Sequence, residues 1–372
     1  MSLRTRLVSR LLVYSGAAAL AQRRRQAQAA AGQPRLTILA YHRIGEHRPG
    51  PAGEDGELFS ASPAGFAWQM DYLQRHYAVL SLDEALQRWQ AGQPPARSAA
   101  VVTFDDGYRD NHSLAAPVLR RLGLPAVIFL TTGFMDGELD LWWDDLAGML
   151  ATATISQVQV SGLGCLPVDT PAARRSTQRR LRDWLKSLPD ARRREALDDL
   201  RRQLGAALSA VQDRPQPMTW DEAAGLQGQG VVFGAHTRTH PILTRLSLEQ
   251  AEVEIMESRR RIEARLGHEV NLFAYPNGQP GDFNRQTRDL LARLGFRAAV
   301  TLVHGSNLLP GPQTVASACA DPLELRRVYI GAGDDRAVFI AKLSGVLEML
   351  AQAAGRDRSG RNIPAGERIG TG

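Results

Sequence analysis

The sequence predicts an α/β fold: a distorted barrel of seven or eight strand–helix units, (β/α)7-8, carrying a basic helical insertion. Three observations lead there. Short apolar runs alternate with helix-like stretches from residue 35 to about 335, most of the runs are continuously apolar, and several end in carboxylate, amide or imidazole side chains. Continuous apolar runs suit parallel strands covered on both faces, whereas half-exposed strands alternate. Repeated strand–helix alternation favours a parallel sheet, and eight candidate strands favour a ring over an open sheet.

The strand candidates are TILAYH (37–42), AVLS (78–81), AAVVTF (99–104), AVIFLTT (126–132), VVFGAH (231–236), LFAYP (272–276), AAVTLV (298–303) and LRRVYI (325–330). Helical patterns lie between them, such as PAGFAWQMDYLQRHY and SLEQAEVEIMESRRRIEARLG. In the second, Ser247 and Gln250 form a capping box and Gly267 provides the stop. Residues 151–216 break the rhythm with a Gly/Pro-bearing stretch and two basic helical segments split at Pro189. They read as an insertion on a strand–helix loop of one domain spanning 35–335. A closing helix is expected over 336–354. Residues 355–372, rich in Gly, Arg and Ser without an apolar pattern, are expected to be disordered.

At 44% hydrophobic and 23% charged, the 372 residues suit a globular protein with a substantial core. The net charge of +6 comes from clusters at Arg23, Arg24 and Arg25 and over 174–202. These read as solvated helical faces. No helix-turn-helix, zinc-finger or RNP pattern accompanies them, so nucleic acid is not expected as a partner. Cys165 and Cys319 lack C-x-x-C spacing and specify neither a metal cluster nor a disulfide framework. The first 34 residues join a basic start to the apolar run LLVYSGAAALA, too short to span a bilayer. A basic helix lying on an anionic membrane surface fits them better than a signal peptide cleaved after Ala19-Leu20-Ala21, because three arginines follow at once. Peripheral membrane association is therefore expected ahead of secretion or a periplasmic location.

Chemistry gathers at strand ends. The opening strand ends on His42, AAVVTF runs into Asp105-Asp106-Gly107, VVFGAH into His236-Thr237-Arg238-Thr239-His240, and LFAYP into Asn277-Gly278. In an α/β barrel these ends share one face, which carries the chemistry. Two histidines four apart plus a carboxylate make a three-ligand set that leaves a position for water. Such a set can lower the pKa of that water, and its nitrogen content favours zinc or a similar divalent transition ion. Either motif alone is weak, since H-x-x-x-H arises by chance and Asp-Asp-Gly also makes plain turns. Together, each ending a buried strand, they indicate a metal site.

VVTFDDGYRDN followed by GAHTRTHPIL resembles the polysaccharide deacetylase family (NodB homology, carbohydrate esterase 4). GLPAVIFLTTGF, LWWDDL, LFAYPNG and LRRVYIG extend the resemblance over residues 35–335. The resemblance implies Asp106, His236 and His240 as metal ligands and Asp105 as the base that takes a proton from the attacking water. It implies hydrolysis of N-acetyl groups on N-acetylhexosamine units of a glycan or exopolysaccharide, releasing acetate. An O-acetyl esterase or an inactive glycan-binding homologue would carry the same motifs. The backbone N–H of Asn277, after Pro276, is the candidate oxyanion donor.

Two departures stand out. Where the family commonly has R-x-P-Y, this chain has Ala274-Tyr275-Pro276-Asn277, so Arg327 on the last strand is the candidate to orient the base, and Tyr275 and Pro276 are candidate substrate contacts. Trp142 and Trp143 either stack on sugar or pack their loop. The last strand also lacks the family's acid histidine. Of His42, His112, His268 and His304, His42 fits best, because its strand repeats the missing pattern at the front of the chain. That order resembles a circularly permuted subgroup similar to poly-N-acetylglucosamine deacetylases. A closed ring makes permutation easy, because its first and last strands are neighbours.

Overall fold

The computed structural model describes residues 3–46, 58–93, 95–205, 215–308 and 319–353. Seven strands form its centre: β1 (Arg35–Tyr41), β2 (Ala99–Phe104), β3 (Ala126–Leu130), β4 (Val231–Ala235), β5 (Leu272–Ala274), β6 (Ala298–His304) and β7 (Leu325–Tyr329). Each pairs in parallel with the next, and β1 pairs with both β2 and β7, so the ring closes through the first strand.

The ring has seven strands, the lower of the two expected counts. Of residues 78–81, only Ala78 and Val79 form a strand, and they pair with Ala99 and Ala100 at the start of β2. Strand β3 joins β2 only from Val102 onward, which leaves that lower side open for the short segment. Asn307–Leu308 does the same antiparallel to Arg35 and Leu36, below the point where β7 joins β1.

The period of two along each strand sorts the core into two layers. Leu36, Ile38, Val101, Val127, Phe129, Leu272, Ala274, Val300 and Leu325 fill the barrel. Leu39, Tyr41, Val102, Phe104, Phe273 and Tyr275 face outward beneath the helices. One outer helix, Leu248–Leu266, has the expected Ser247–Gln250 capping box and stops at Gly267.

The insertion holds a hairpin, Gln157–Val160 paired with Gly164–Pro167, and then helices Pro171–Ser187 and Asp190–Leu204. Its Leu181, Leu185, Leu197 and Leu200 share a core with Trp142, Trp143 and Leu146, which fixes it against the barrel's mouth. The closing helix is two helices, Arg336–Ser344 and Val346–Ala353. They break at Gly345, which adopts a left-handed φ of 79°. A side chain there would collide with the guanidinium of Arg25, which donates to the Leu343 carbonyl (2.8 Å) and to Glu348 (2.8 Å). Arg25 comes from the helix Ala17–Ala30, which with Leu3–Tyr14 packs on Arg336–Ser344. The tail expected to be disordered, 355–372, lies outside the described residues.

Gly234 is a close-approach position in β4. A Cβ there would stand 2.6 Å from two ring carbons of Phe129 and 3.0 Å from the Leu272 carbonyl oxygen. Gly234→Ala is expected to cost about 1–3 kcal/mol by overpacking, read as a lower denaturant midpoint with an unchanged m-value.

Candidate active site

Strand register builds the site. Tyr41 lies opposite Phe104, and the Asp105 N–H donates to the Tyr41 carbonyl at 3.0 Å. His42 and Asp105 therefore leave adjacent strands side by side, with His42 Nε2 3.9 Å from Asp105 Oδ2. The backbone of His42 is held at both ends: its N–H donates to Ser60 Oγ (2.9 Å) and its carbonyl accepts from Asn111 Nδ2 (2.7 Å). Burial, only partly offset by the Asp105 carboxylate, lowers the His42 pKa to about 4, so the imidazole is neutral at neutral pH.

The two adjacent carboxylates have opposite surroundings. Asp105 receives a bidentate pair from the fully buried Arg327, Nη1 to Oδ1 and Nη2 to Oδ2, both at 2.7 Å. Arg327 also donates to the Thr301 carbonyl (2.8 Å) and Thr103 Oγ1 (3.1 Å). Burial alone would raise the Asp105 pKa, but the charge and hydrogen bonds of Arg327 outweigh it and hold the carboxyl at about 2. Asp106 is equally buried, and both its oxygens lack a hydrogen-bond partner. Burial first, and the Asp105 charge second, push its pKa well above the carboxylate range.

That orphaned carboxylate lies against the two histidines. Asp106 Oδ1 is 3.6 Å from Nε2 of both His236 and His240, and the three candidate ligand atoms fall within 4.8 Å of one another. His236 Nδ1 lies 2.7 Å from the Ala274 carbonyl. Donation there leaves the Nε2 lone pair facing Asp106. Burial lowers the pKa of both imidazoles, keeping them neutral as ligation requires. One carboxylate and two neutral imidazoles fit a divalent transition ion, and a cation there would satisfy the two stranded oxygens. Backbone strain converges on the same place. Among the described residues, Asp106, Thr237, His240 and Asn277 are the non-glycine positions with positive φ, at 78°, 65°, 57° and 60°.

His42, Asp105, Asp106, His236 and His240 line a cavity of about 740 Å³. Trp142 and Trp143 are in its wall but also buried. Trp143 Nε1 donates to the Tyr108 hydroxyl (2.9 Å), and its ring centroid lies 4.6 Å from that of His240. They pack the loop and face the cavity at once. Asn277 lines the cavity as well. Tyr275 and Pro276 do not, contrary to the sequence reading. With Ala274 facing inward, the next side chain points outward, and Tyr275 is stacked on Phe283 with its hydroxyl donating to the Leu323 carbonyl at 3.0 Å. His112, His268 and His304 are also outside the cavity wall. The sequence reading missed Arg182, Lys186 and Arg193, which the insertion brings into that wall. The four-residue spacing of Arg182 and Lys186 on one helix was the available signal.

Comparison with known proteins bears on this geometry. A family model described as polysaccharide deacetylase matches residues 92–162 and 187–299, a span that includes both Asp105–Asp106 and His236–His240. The chain belongs to the polysaccharide deacetylase family. The "Putative polysaccharide deacetylase YxkH" of Bacillus subtilis is 32% identical over 136 residues, 35% of this chain and 46% of that protein, so the match spans about half of that relative. Among solved structures, the Streptococcus pyogenes deacetylase PplD aligns with a TM-score of 0.54 at 18% identity, covering 83% of this chain and 98% of that one. BC0361, a polysaccharide deacetylase from Bacillus cereus, aligns at 0.50 and 18%, covering 84% and 69%. At those identities the polysaccharide deacetylase likeness is one of fold.

Removing Arg327 would leave Asp105 buried and unpaired. Arg327→Met is expected to lose about 3–5 kcal/mol of stability in denaturant titration. Arg327→Lys should recover only part of it, since an ammonium cannot reproduce the fork.

Proposed function

We propose that the protein is a metal-dependent deacetylase that hydrolyses the N-acetyl groups of N-acetylhexosamine units in a glycan and releases acetate. The observation that carries this reading is one cavity holding an arginine-clamped carboxylate, a second carboxylate stranded between two imidazoles, and a third imidazole beside the first carboxylate. A divalent ion held by Asp106, His236 and His240, with zinc the best fit to that set, would acidify a water and polarise the acetamide carbonyl. Asp105, kept ionised and oriented by Arg327, takes a proton from the attacking water. The backbone N–H of Asn277 would stabilise the charge that develops on the carbonyl oxygen. His42 delivers a proton to the departing amine. A histidine supplied by the first strand rather than the last is the circularly permuted arrangement, and closure of the ring through β1 supports it.

The test is acetate release by zinc-loaded protein from chitooligosaccharides, poly-N-acetylglucosamine and acetylated xylan. Acetate with free amine from the first two is expected. Release from xylan alone would mean an O-acetyl esterase, and metal retention without any release would mean a binding protein. Asp105→Asn should abolish turnover and retain metal, whereas His240→Ala should lose both. His42→Ala should retain metal and slow amide hydrolysis by on the order of 10²-fold or more. The same loss in His304→Ala instead would remove His42 from the mechanism.

We also propose that the terminal helices dock on an anionic membrane surface. No helix among the described residues is long and apolar enough to cross a membrane. Of the nine exposed large hydrophobic residues among those described, seven lie on Leu3–Tyr14, Ala17–Ala30 and Val346–Ala353: Leu7, Val8, Leu11, Tyr14, Leu20, Met349 and Leu350. Leu7, Leu11 and Tyr14 follow helical spacing, with Arg6, Arg23 and Arg24 exposed on the same two N-terminal helices. The protein should sediment with phosphatidylglycerol-containing vesicles and not with pure phosphatidylcholine, and Leu7→Glu with Leu11→Glu should release it. Equal sedimentation of that variant would refute the docking.

A further inference from the structure

The segment between the two histidines is clasped from two sides. Thr237, Arg238 and Thr239 join His236 to His240, and both Thr237 and His240 have left-handed backbones, with φ of 65° and 57°. From the β3 side the hold is main chain: the Thr132 and Gly133 N–H groups donate to the Thr237 and Arg238 carbonyls at 3.2 and 2.8 Å. From the other side it is Glu254, on the helix Leu248–Leu266. Its Oε2 accepts from the N–H groups of Arg238 (3.0 Å) and Thr239 (2.8 Å), and its Oε1 accepts from the Thr239 hydroxyl (2.7 Å). The Arg238 N–H is shared with the Glu254 main-chain carbonyl at 3.2 Å. Ala251, Ile255 and Ser258 are buried and set the rotation of that helix, and Glu254 stands half-buried at the edge of their stripe.

Successive N–H groups outside a helix or strand need acceptors from elsewhere. A carboxylate supplies them through charge-assisted bonds, which are stronger than neutral ones. The guanidinium of Arg238 is directed away, to Glu138 (2.9 Å) and Glu257 (2.8 Å), so Glu254 acts on the main chain. The His240 N–H donates to Thr237 Oγ1 at 3.0 Å, inside the same segment. The place of the His240 imidazole therefore follows the conformation of residues 237–239. Without the clasp, the left-handed positions would relax toward right-handed or extended geometry.

We propose that Glu254 is a positioning residue for the metal ligands: by fixing residues 237–239 it holds His240 beside His236 and Asp106 in the geometry that takes up a divalent ion. This rests on reading those three residues as the ligand set, but its test is metal affinity, which does not depend on turnover. The clasp acts by pre-organisation. If without it the segment is correctly set about one time in ten to one in a hundred, apparent affinity falls by the same factor. Losses of about 10–100-fold are also what removal of a ligand's outer partner brings.

Zinc affinity would be measured by competition with a chromophoric chelator at fixed pH. Glu254→Ala should bind zinc about 10–100-fold more weakly than the wild type, with its helix intact because alanine is the best helix former. Glu254→Gln should recover most of that loss, since its amide oxygen can accept both N–H groups and its nitrogen can donate to the Thr239 hydroxyl. Thr239→Val should weaken binding by itself and add nothing in the Glu254→Ala background, the signature of one shared contact. Glu257→Ala, which touches the Arg238 guanidinium and not the main chain, should bind zinc as the wild type does. Unchanged affinity in Glu254→Ala would overturn the proposal. So would an equal loss in Glu257→Ala, or Glu254→Gln binding as weakly as Glu254→Ala, because charge at a distance would then be at work instead of the clasp. If circular dichroism shows Glu254→Ala unfolded, Thr239→Val decides, and unchanged zinc affinity there overturns the proposal. Wild-type protein that takes up zinc but releases no acetate from any glycan would end the deacetylase reading and leave the role of Glu254 standing.

Discussion

The arrangement of the barrel's mouth depends on one buried ion pair. Arg327 leaves β7, passes the seam where β1 closes the ring, and fastens to Asp105 and Thr103 of β2 and to the Thr301 carbonyl of β6. A fully buried guanidinium is tolerated only when its charge is paired and its donors are used, and here Asp105 pairs the charge and four N–H groups donate. The pair fixes both oxygens of Asp105 and thereby decides which way that carboxylate faces. It also spans the strand carrying His42, so closure of the ring brings His42 and Asp105 side by side.

The same contact sets Asp105 apart from Asp106. Two neighbouring carboxylates at similar burial would compete for protons unless something distinguished them. Arg327 stabilises the ionised form of one, and the other is left with bare oxygens beside two neutral imidazoles. The left-handed backbones at Asp106, Thr237 and His240 are the conformational cost of aiming three potential ligands at one point. A turn selected for stability alone would carry glycine there.

Much of this was legible in the sequence, for a definite reason. A continuous apolar strand ending abruptly in polar residues is a local signal, so His42, Asp105, Asp106, His236 and His240 could be picked out with their neighbours still unknown. Arg327 could be named only as a candidate, because reaching across the seam is a tertiary event. Tyr275 was misplaced although the rule that excludes it is local: inward Ala274 forces the next side chain out. The eighth strand was overcounted because an apolar tetrapeptide does not reveal how little of it finds a partner. The cations of the insertion read as solvated surface, since a basic helical face has the same sequence whether it meets water or a cavity. Only the burial of Leu181 and Leu185 against the barrel decides between them.

The neutral state of His42 constrains how protons move in the proposed reaction. With a pKa near 4, the imidazole does not hold the proton that the departing amine requires when the substrate arrives. Asp105, held near 2, is a weak base that will not retain a proton it takes from water. The two stand 3.9 Å apart. In the proposed reaction a proton removed from water at Asp105 would pass to the neighbouring His42 imidazole. The amine can then take that same proton as the carbon–nitrogen bond breaks, which returns both groups to their starting states without a proton from bulk solvent. On this account the first strand's place next to Asp105 is a requirement of the chemistry. A histidine at the end of β6, where His304 lies outside the cavity, would be separated from the base by the Arg327 clamp.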